Sequence, residues 1–199
     1  MKLFKLPFVI VLTILLIIIP VTGCNVSQSQ INSVVQNIDS YTPVIVTDAT
    51  AYSKIAQTLD PADAALIQES VTILQKDSNF LTTLCNQYLA APSSNTLSQI
   101  AATVSELATT DASALIQVAQ IKNPQSVTEA EAVLAGVATT VTILSVYLQS
   151  VKVPVSKAAT KSIQRMDPYV KKSVLVSELD KAKAQHLVPS YVTLSSFGY

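Results

Sequence analysis

Four times between residues 31 and 151, apolar side chains recur at alternating spacings of three and four, and a proline follows the end of each run. That spacing lines them up on one face of an α-helix. The first run holds Ile31, Val34, Ile38, Tyr41, Ile45, Ala49, Tyr52, Ile55 and Leu59. The second holds Ile67, Val71, Leu74, Ser78, Leu81, Cys85 and Tyr88. The third passes through Ile100, Val104, Leu107, Asp111, Ala114, Val118 and Ile121. The fourth is an unbroken heptad pattern of Val127, Ala130, Leu134, Val137, Val141, Leu144, Leu148 and Val151. Pro61, Pro92, Pro124 and Pro154 separate or close the runs.

Local signals sharpen the boundaries. Asp60-Pro61 predicts an N-cap followed by proline at the first helical position. Ser126-Val127-Thr128-Glu129 matches a capping box, with serine and glutamate satisfying each other's free N–H groups. Pro43 lies inside the first run and removes one backbone hydrogen bond, which predicts a kink or break near Tyr41 and Thr42. The β-branched stretch Val44-Ile45-Val46-Thr47 has no partner run or turn signal nearby. Beyond residue 23 the only glycines are Gly136 and Gly198, and there is no Asn-Gly or Asp-Gly pair to turn a hairpin. Segments of about 25 to 33 residues make helices roughly 40–50 Å long, with short loops and antiparallel neighbours. The expected fold is therefore all-α: an up-down antiparallel bundle of about four long helices over 31–151, with a basic, partly helical C-terminal extension over 152–199. Short helices are expected from Ser156 to Arg165 and from Val170 to His186, and the aromatic residues after Pro189 could dock on the bundle.

The N-terminus carries a different pattern. Lys2 and Lys5 make a charged start, and Leu6 to Ile19 follow without a charge. Fourteen helical residues span about 21 Å, short for a hydrocarbon core of about 30 Å. Pro20 stops the segment, and Val21-Thr22-Gly23-Cys24 comes next. This stretch resembles the signal peptide and lipobox of bacterial lipoprotein precursors, with valine at −3 where leucine is commoner. The resemblance covers residues 1 to about 25. It implies removal of residues 1–23, lipid on the Cys24 thiol and a tether over 24–30. Two or three acyl chains hold a protein stably to a membrane where one does not. By analogy with Gram-negative sorting, Asn25 points to the outer membrane. The alternative is an uncleaved signal-anchor helix with Cys24 incidental.

Charge is divided along the chain. Residues 25–151 hold ten acids and three bases, a net of −7, whereas residues 152–199 hold eight bases and three acids, a net of +5. The basic extension either lies against the acidic bundle or is solvated, or it touches an anionic surface such as lipid headgroups. Its lysines are not interleaved with aromatics as in a nucleic-acid-binding surface, so no nucleic-acid partner is expected.

No residue constellation specifies a reaction. His186 is the only histidine, and no His-Glu-x-x-His, Gly-x-Ser-x-Gly or glycine-rich phosphate loop occurs. No cofactor or metal is expected. Cys85 falls on the second stripe, where a buried thiol behaves as a small hydrophobe; an intermolecular disulfide is its alternative. Asp111 either caps a restarted helix at a kink or is a buried acid, and with Asp48 it would form the one candidate acid pair. Glu129 and Glu131 read as cap and surface, and Tyr41, Tyr52, Tyr88 and Tyr147 as core and rim packing. The expected function is a non-enzymatic, membrane-anchored envelope protein, structural or binding. The rival readings are a small-molecule or lipid carrier with a ligand between apolar helices and, behind it, a carboxylate enzyme.

Overall fold

The computed structural model describes residues 26–59, 61–62, 64–112, 115, 124–166 and 170–185. Among them every regular element is helical. Six α-helices follow in order: α1 Gln28–Leu59, α2 Ala64–Ala90, α3 Ser94–Glu106, α4 Pro124–Ser150, α5 Lys157–Met166 and α6 Lys172–Ala184. The described residues are all-α, as the periodicity predicts.

α1 runs through Pro43 without a break. The missing N–H deprives one carbonyl of its partner, but Pro43 is exposed, so that side of the helix is open to water. Thr42 bonds its hydroxyl to the Ile38 carbonyl at 2.8 Å and Thr47 to the Pro43 carbonyl at 3.0 Å, which ties the flanking turns to the helix. α2 buries Ile67, Val71, Leu74, Ser78, Leu81, Leu84, Cys85 and Tyr88, the second stripe with Leu84 added. It begins at Ala64, three residues after the expected start at Pro61, and Pro61-Ala62 form a turn.

α3 is capped by Ser93, whose side chain accepts from the Thr96 N–H at 3.1 Å. At Leu107–Asp111 it widens into a π turn, with the Ala112 N–H reaching back to the Leu107 carbonyl. The backbone at the expected interruption around Asp111 carries an extra residue in the turn, while the Asp111 side chain lies outside the described residues. The Thr109 hydroxyl bonds to the Ser105 carbonyl at 2.9 Å inside this region. α4 begins at Pro124, so Ser126 lies within its first turn rather than at an N-cap. Proline tolerates that first position because its missing N–H would be unpaired there anyway.

α1 is the hub, packing along both α2 and α4. It runs antiparallel to α2: Gln28 meets Tyr88, Thr50 meets Gln75 and Ser53 meets Gln68, with hydrogen bonds of 2.7, 2.8 and 2.6 Å. It also runs antiparallel to α4, with Asp48 against Gly136 and Tyr41 against Tyr147. One continuous core of residues from all six helices results.

The extension packs onto that core. From Val137 to Leu148 every residue of α4 is buried, because α5 and α6 cover the side that α1 and α3 leave open. Its hydroxyls stay satisfied within the helix: Thr139, Thr140 and Ser145 bond to the carbonyls of Ala135, Gly136 and Val141 at 2.6, 3.0 and 3.1 Å. α4 ends in a Schellman motif. Val153 N–H bonds to the Leu148 carbonyl and Lys152 N–H to that of Gln149, with Lys152 at a left-handed φ of 60°. Two hydroxyls of the bundle then fix the extension: Ser105 accepts from the Ser156 N–H at 3.1 Å, and Thr139 from the Lys171 N–H at 2.9 Å. Ser156 in turn caps α5 through the Ala159 N–H at 3.0 Å. No helix among the described residues is long and apolar enough to cross a membrane.

Candidate functional site

Two polar contacts meet α1 from the C-terminal half of the chain. The first joins Tyr41, Tyr147 and Glu178. α6 presents Leu175, Leu179 and Ala182 to the core, and Glu178 lies among them with 9% of its surface exposed. Its carboxylate accepts a short hydrogen bond from the Tyr41 hydroxyl and a 2.5 Å bond from Lys181, one turn further along. The Tyr41 and Tyr147 rings stand 6.1 Å apart and tilted by 39°. Burial holds the Tyr41 phenol well above its usual value, and the hydrogen bond to Glu178 adds to this. Burial, with the Glu178 charge, pushes Tyr147 up to about 12. Both phenols therefore remain protonated donors at neutral pH. The space enclosed beside Tyr147 and Glu178 amounts to about 10 Å³, roughly one water at most. Chemically this arrangement fastens α6 to α1 and α4.

The second contact is Asp48 against Gly136. A Cβ on Gly136 would lie 2.1 Å from Asp48 Oδ2, so the absence of a side chain there is what admits the carboxylate between the helices. Burial raises the Asp48 carboxyl, and the positive charge of Lys171 pulls it back down. Lys171 is the residue whose N–H is held by Thr139, one turn along α4 from Gly136.

The sequence singles out other candidates, and the structure places them differently. Asp48 is half-buried, whereas the side chains of Asp111, Glu129 and Glu131 lie outside what is described, as do the residues Cys24 and His186. Cys85 is a free, fully buried thiol. Burial pushes it up to about 12, with the nearby Asp39 charge adding to the shift. One Asp39 oxygen and the Ser78 hydroxyl are buried with no hydrogen-bond partner. Tyr52 and Tyr88 are core residues, Tyr88 accepting from Gln28. No group of three or more metal-ligating side chains occurs among the described residues. An open groove of about 660 Å³ runs between α3 and the 153–158 segment, lined by Ala101, Ala102, Glu106, Val153, Pro154 and Val155 among others.

Glu178 and Gly136 were both readable in principle. A glutamate three residues after Leu175 and directly before Leu179 stands inside an apolar face, and a lone glycine inside a heptad run marks a close approach. Comparison with known proteins yields no matching family model, no matching curated protein and no matching solved structure.

Proposed function

We propose that this protein is a lipid-anchored bacterial lipoprotein of the cell envelope. Its all-helical body, four long helices in up-down order with two short helices laid on them, serves as a non-enzymatic structural or binding module. The observation that carries the reading is the ordered series of charged start, apolar segment, Pro20 and Val21-Thr22-Gly23-Cys24. Helix α1 begins only four residues after Cys24. Four extended residues reach about 14 Å, so lipid on Cys24 would hold the Gln28 and Tyr88 end of the body near the bilayer. α6 runs toward the same end, since Lys171 meets Thr139 and Glu178 meets Tyr41, and it carries Lys181 and Lys183 in its last turn.

Intact mass and membrane fractionation, wild type beside Cys24→Ser, test the anchor. Loss of residues 1–23, a gain of acyl mass and pelleting with membranes, all absent in the variant, are expected. Retention of Met1 to Gly23 without modification would replace lipoprotein with signal-anchor helix.

A second reading, a carrier of small apolar molecules, is favoured by the open groove beside the π turn. A fluorescent fatty-acid probe that binds wild type but not Ala102→Trp, whose exposed side chain fills the groove, would support it. Equal binding by both would remove the groove from consideration.

A further inference from the structure

Residues 25–38, 78–105 and 132–151 contain no charged side chain. They form the start of α1, the end of α2 with the start of α3, and the second half of α4. The fold gathers all of them at one end of the body. α1 runs antiparallel to α2 and to α4, and α3 leaves the end of α2 after the three-residue turn 91–93. What this end shows to water is amides, hydroxyls and small side chains: Gln28, Gln87, Ala91, Pro92, Ser94 and Asn95 are exposed. All ten acids of residues 25–151 fall outside the uncharged stretches. Counted from this end, the first acids on α1, α2 and α3 are Asp39, Asp77 and Glu106, about 16, 20 and 18 Å along their helices. The turn after α4 adds one charge, Lys152, and it is a cation. α6 approaches the same end, but its last charges are ion pairs, Lys181 with Glu178 and Lys183 with Asp180.

We propose that this uncharged end is a bilayer-contact surface, on which the body seats end-on in the headgroup layer of an anionic membrane with its acidic half pointing away. The inference rests on the tether at Cys24 proposed above, which reaches only about 14 Å from the start of α1. The potential of an anionic headgroup layer fades over about 8 Å at physiological ionic strength. The nearest acid therefore stands about two such lengths away, where the surface scarcely repels it. An acid at the end itself would be repelled and would lose hydration on contact, whereas amides and hydroxyls exchange hydrogen bonds with headgroup oxygens and their water. The same segment order accounts for the pattern: a start, an end, a start and an end of successive helices are kept neutral, and only their common position in the fold unites them. A pose on the α5 side would bring the exposed Lys157 and Lys161 to the headgroups, but with them Glu106, across the groove from Ala158.

The test uses the full chain matured in a bacterium and reconstituted in vesicles of phosphatidylethanolamine and phosphatidylglycerol. With lipid on Cys24 and Cys85 buried, one introduced cysteine supplies the reactive thiol. A fluorescent label on Ala91→Cys is expected to be quenched several-fold more by a headgroup-spin-labelled lipid than a label on Leu66→Cys, about 36 Å along α2 from Ala90, or on Lys161→Cys. Adding Gln87→Glu and Ser94→Glu should lower the quenching at position 91 several-fold at low salt, and raised salt should bring it back. Equal quenching at 66 and 91, or the strongest at 161, in protein bound to the vesicles would overturn the end-on contact and leave the tether standing. Indifference to the two added acids would overturn it as well. Intact mass of the same sample reads the lipid separately, and protein recovered off the vesicles would remove tether and contact together.

Discussion

α2 and α4 are equally long, 27 residues each, and they meet water in opposite ways. α2 buries one stripe and leaves the rest of its surface to solvent. α4 is buried on every side from Val137 to Leu148. The difference lies in their neighbours rather than in their apolar content on one face. Among the described residues α2 is covered by α1 and by α3 with its π turn, whereas α4 receives α1 and α3 on one side and α5 and α6 on the other. A helix in the middle of two layers needs no polar face, and the polar residues it retains are threonine and serine, which bond back to their own helix.

The largest break in that comparison comes from placing a charge on each helix. Val146→Lys, beneath Ile163 and Leu179, should cost about 3 kcal/mol or more, because an unpaired charge enters the core. Thr72→Lys on the exposed side of α2 should stay within about 0.5 kcal/mol of wild type. Urea unfolding of both decides the point, and equal costs would mean that α5 and α6 do not cover α4.

Gly136→Ala tests how closely α4 approaches α1. The added methyl meets a short carboxylate side chain, so a loss of about 1–3 kcal/mol is expected. Adding Asp48→Ala should return most of it, and a double-mutant cycle showing simple additivity would separate the two residues. A gain is expected at the other end of α4. Lys152→Gly relieves a left-handed backbone and should raise stability by about 1 kcal/mol, read as a higher urea midpoint with an unchanged slope.

The smallest effect is a pH dependence. Burial holds the folded Asp48 carboxyl above its usual 3.8. The stability contributed by the neutral acid is complete below that value and is lost as pH rises through the raised one. Asp48→Asn keeps the shape without the charge. Relative to wild type it should therefore gain stability between pH 3.8 and neutrality and show no gain below, by less than the Gly136→Ala cost. A gain that grows on acidification would reverse the sign and make Lys171 the dominant influence on Asp48.

The same contrast explains what could be read ahead. The stripe of α2 was legible residue by residue because one-sided burial writes itself into spacing. In α4 the heptad Val137, Val141, Leu144, Leu148 and Val151 is buried as expected, but Ile143 and Val146 between those positions are equally buried. Burial of that second face depends on residues some 30 positions later in the chain, which no local window contains. Val35 on α1 and Leu84 on α2 widen their stripes for the same reason, each beside a neighbour of the expected series. Helix starts were displaced by two or three residues at Pro61 and Ser126, where a proline and a polar pair compete for the first turn. Of the candidate acid pair only Asp48 lies among the described side chains, half-buried against Gly136. The spacing of Glu178 marks a buried acid, but its partner Tyr41 is 137 positions away and no local pattern names it.

The double covering of α4 also sets an order in time. A chain emerging from its N-terminus presents α1, α2 and α3 first, and these can pair as soon as they appear. α4 follows with a bare apolar side and has nothing to lay against it until residues 157 to 184 arrive. Until then the domain is an open sandwich, and the Tyr41–Glu178 bond is among the last contacts available to form. A chain halted near residue 155 should accordingly expose a sticky surface to chaperones and proteases, whereas one carried thirty residues further should not.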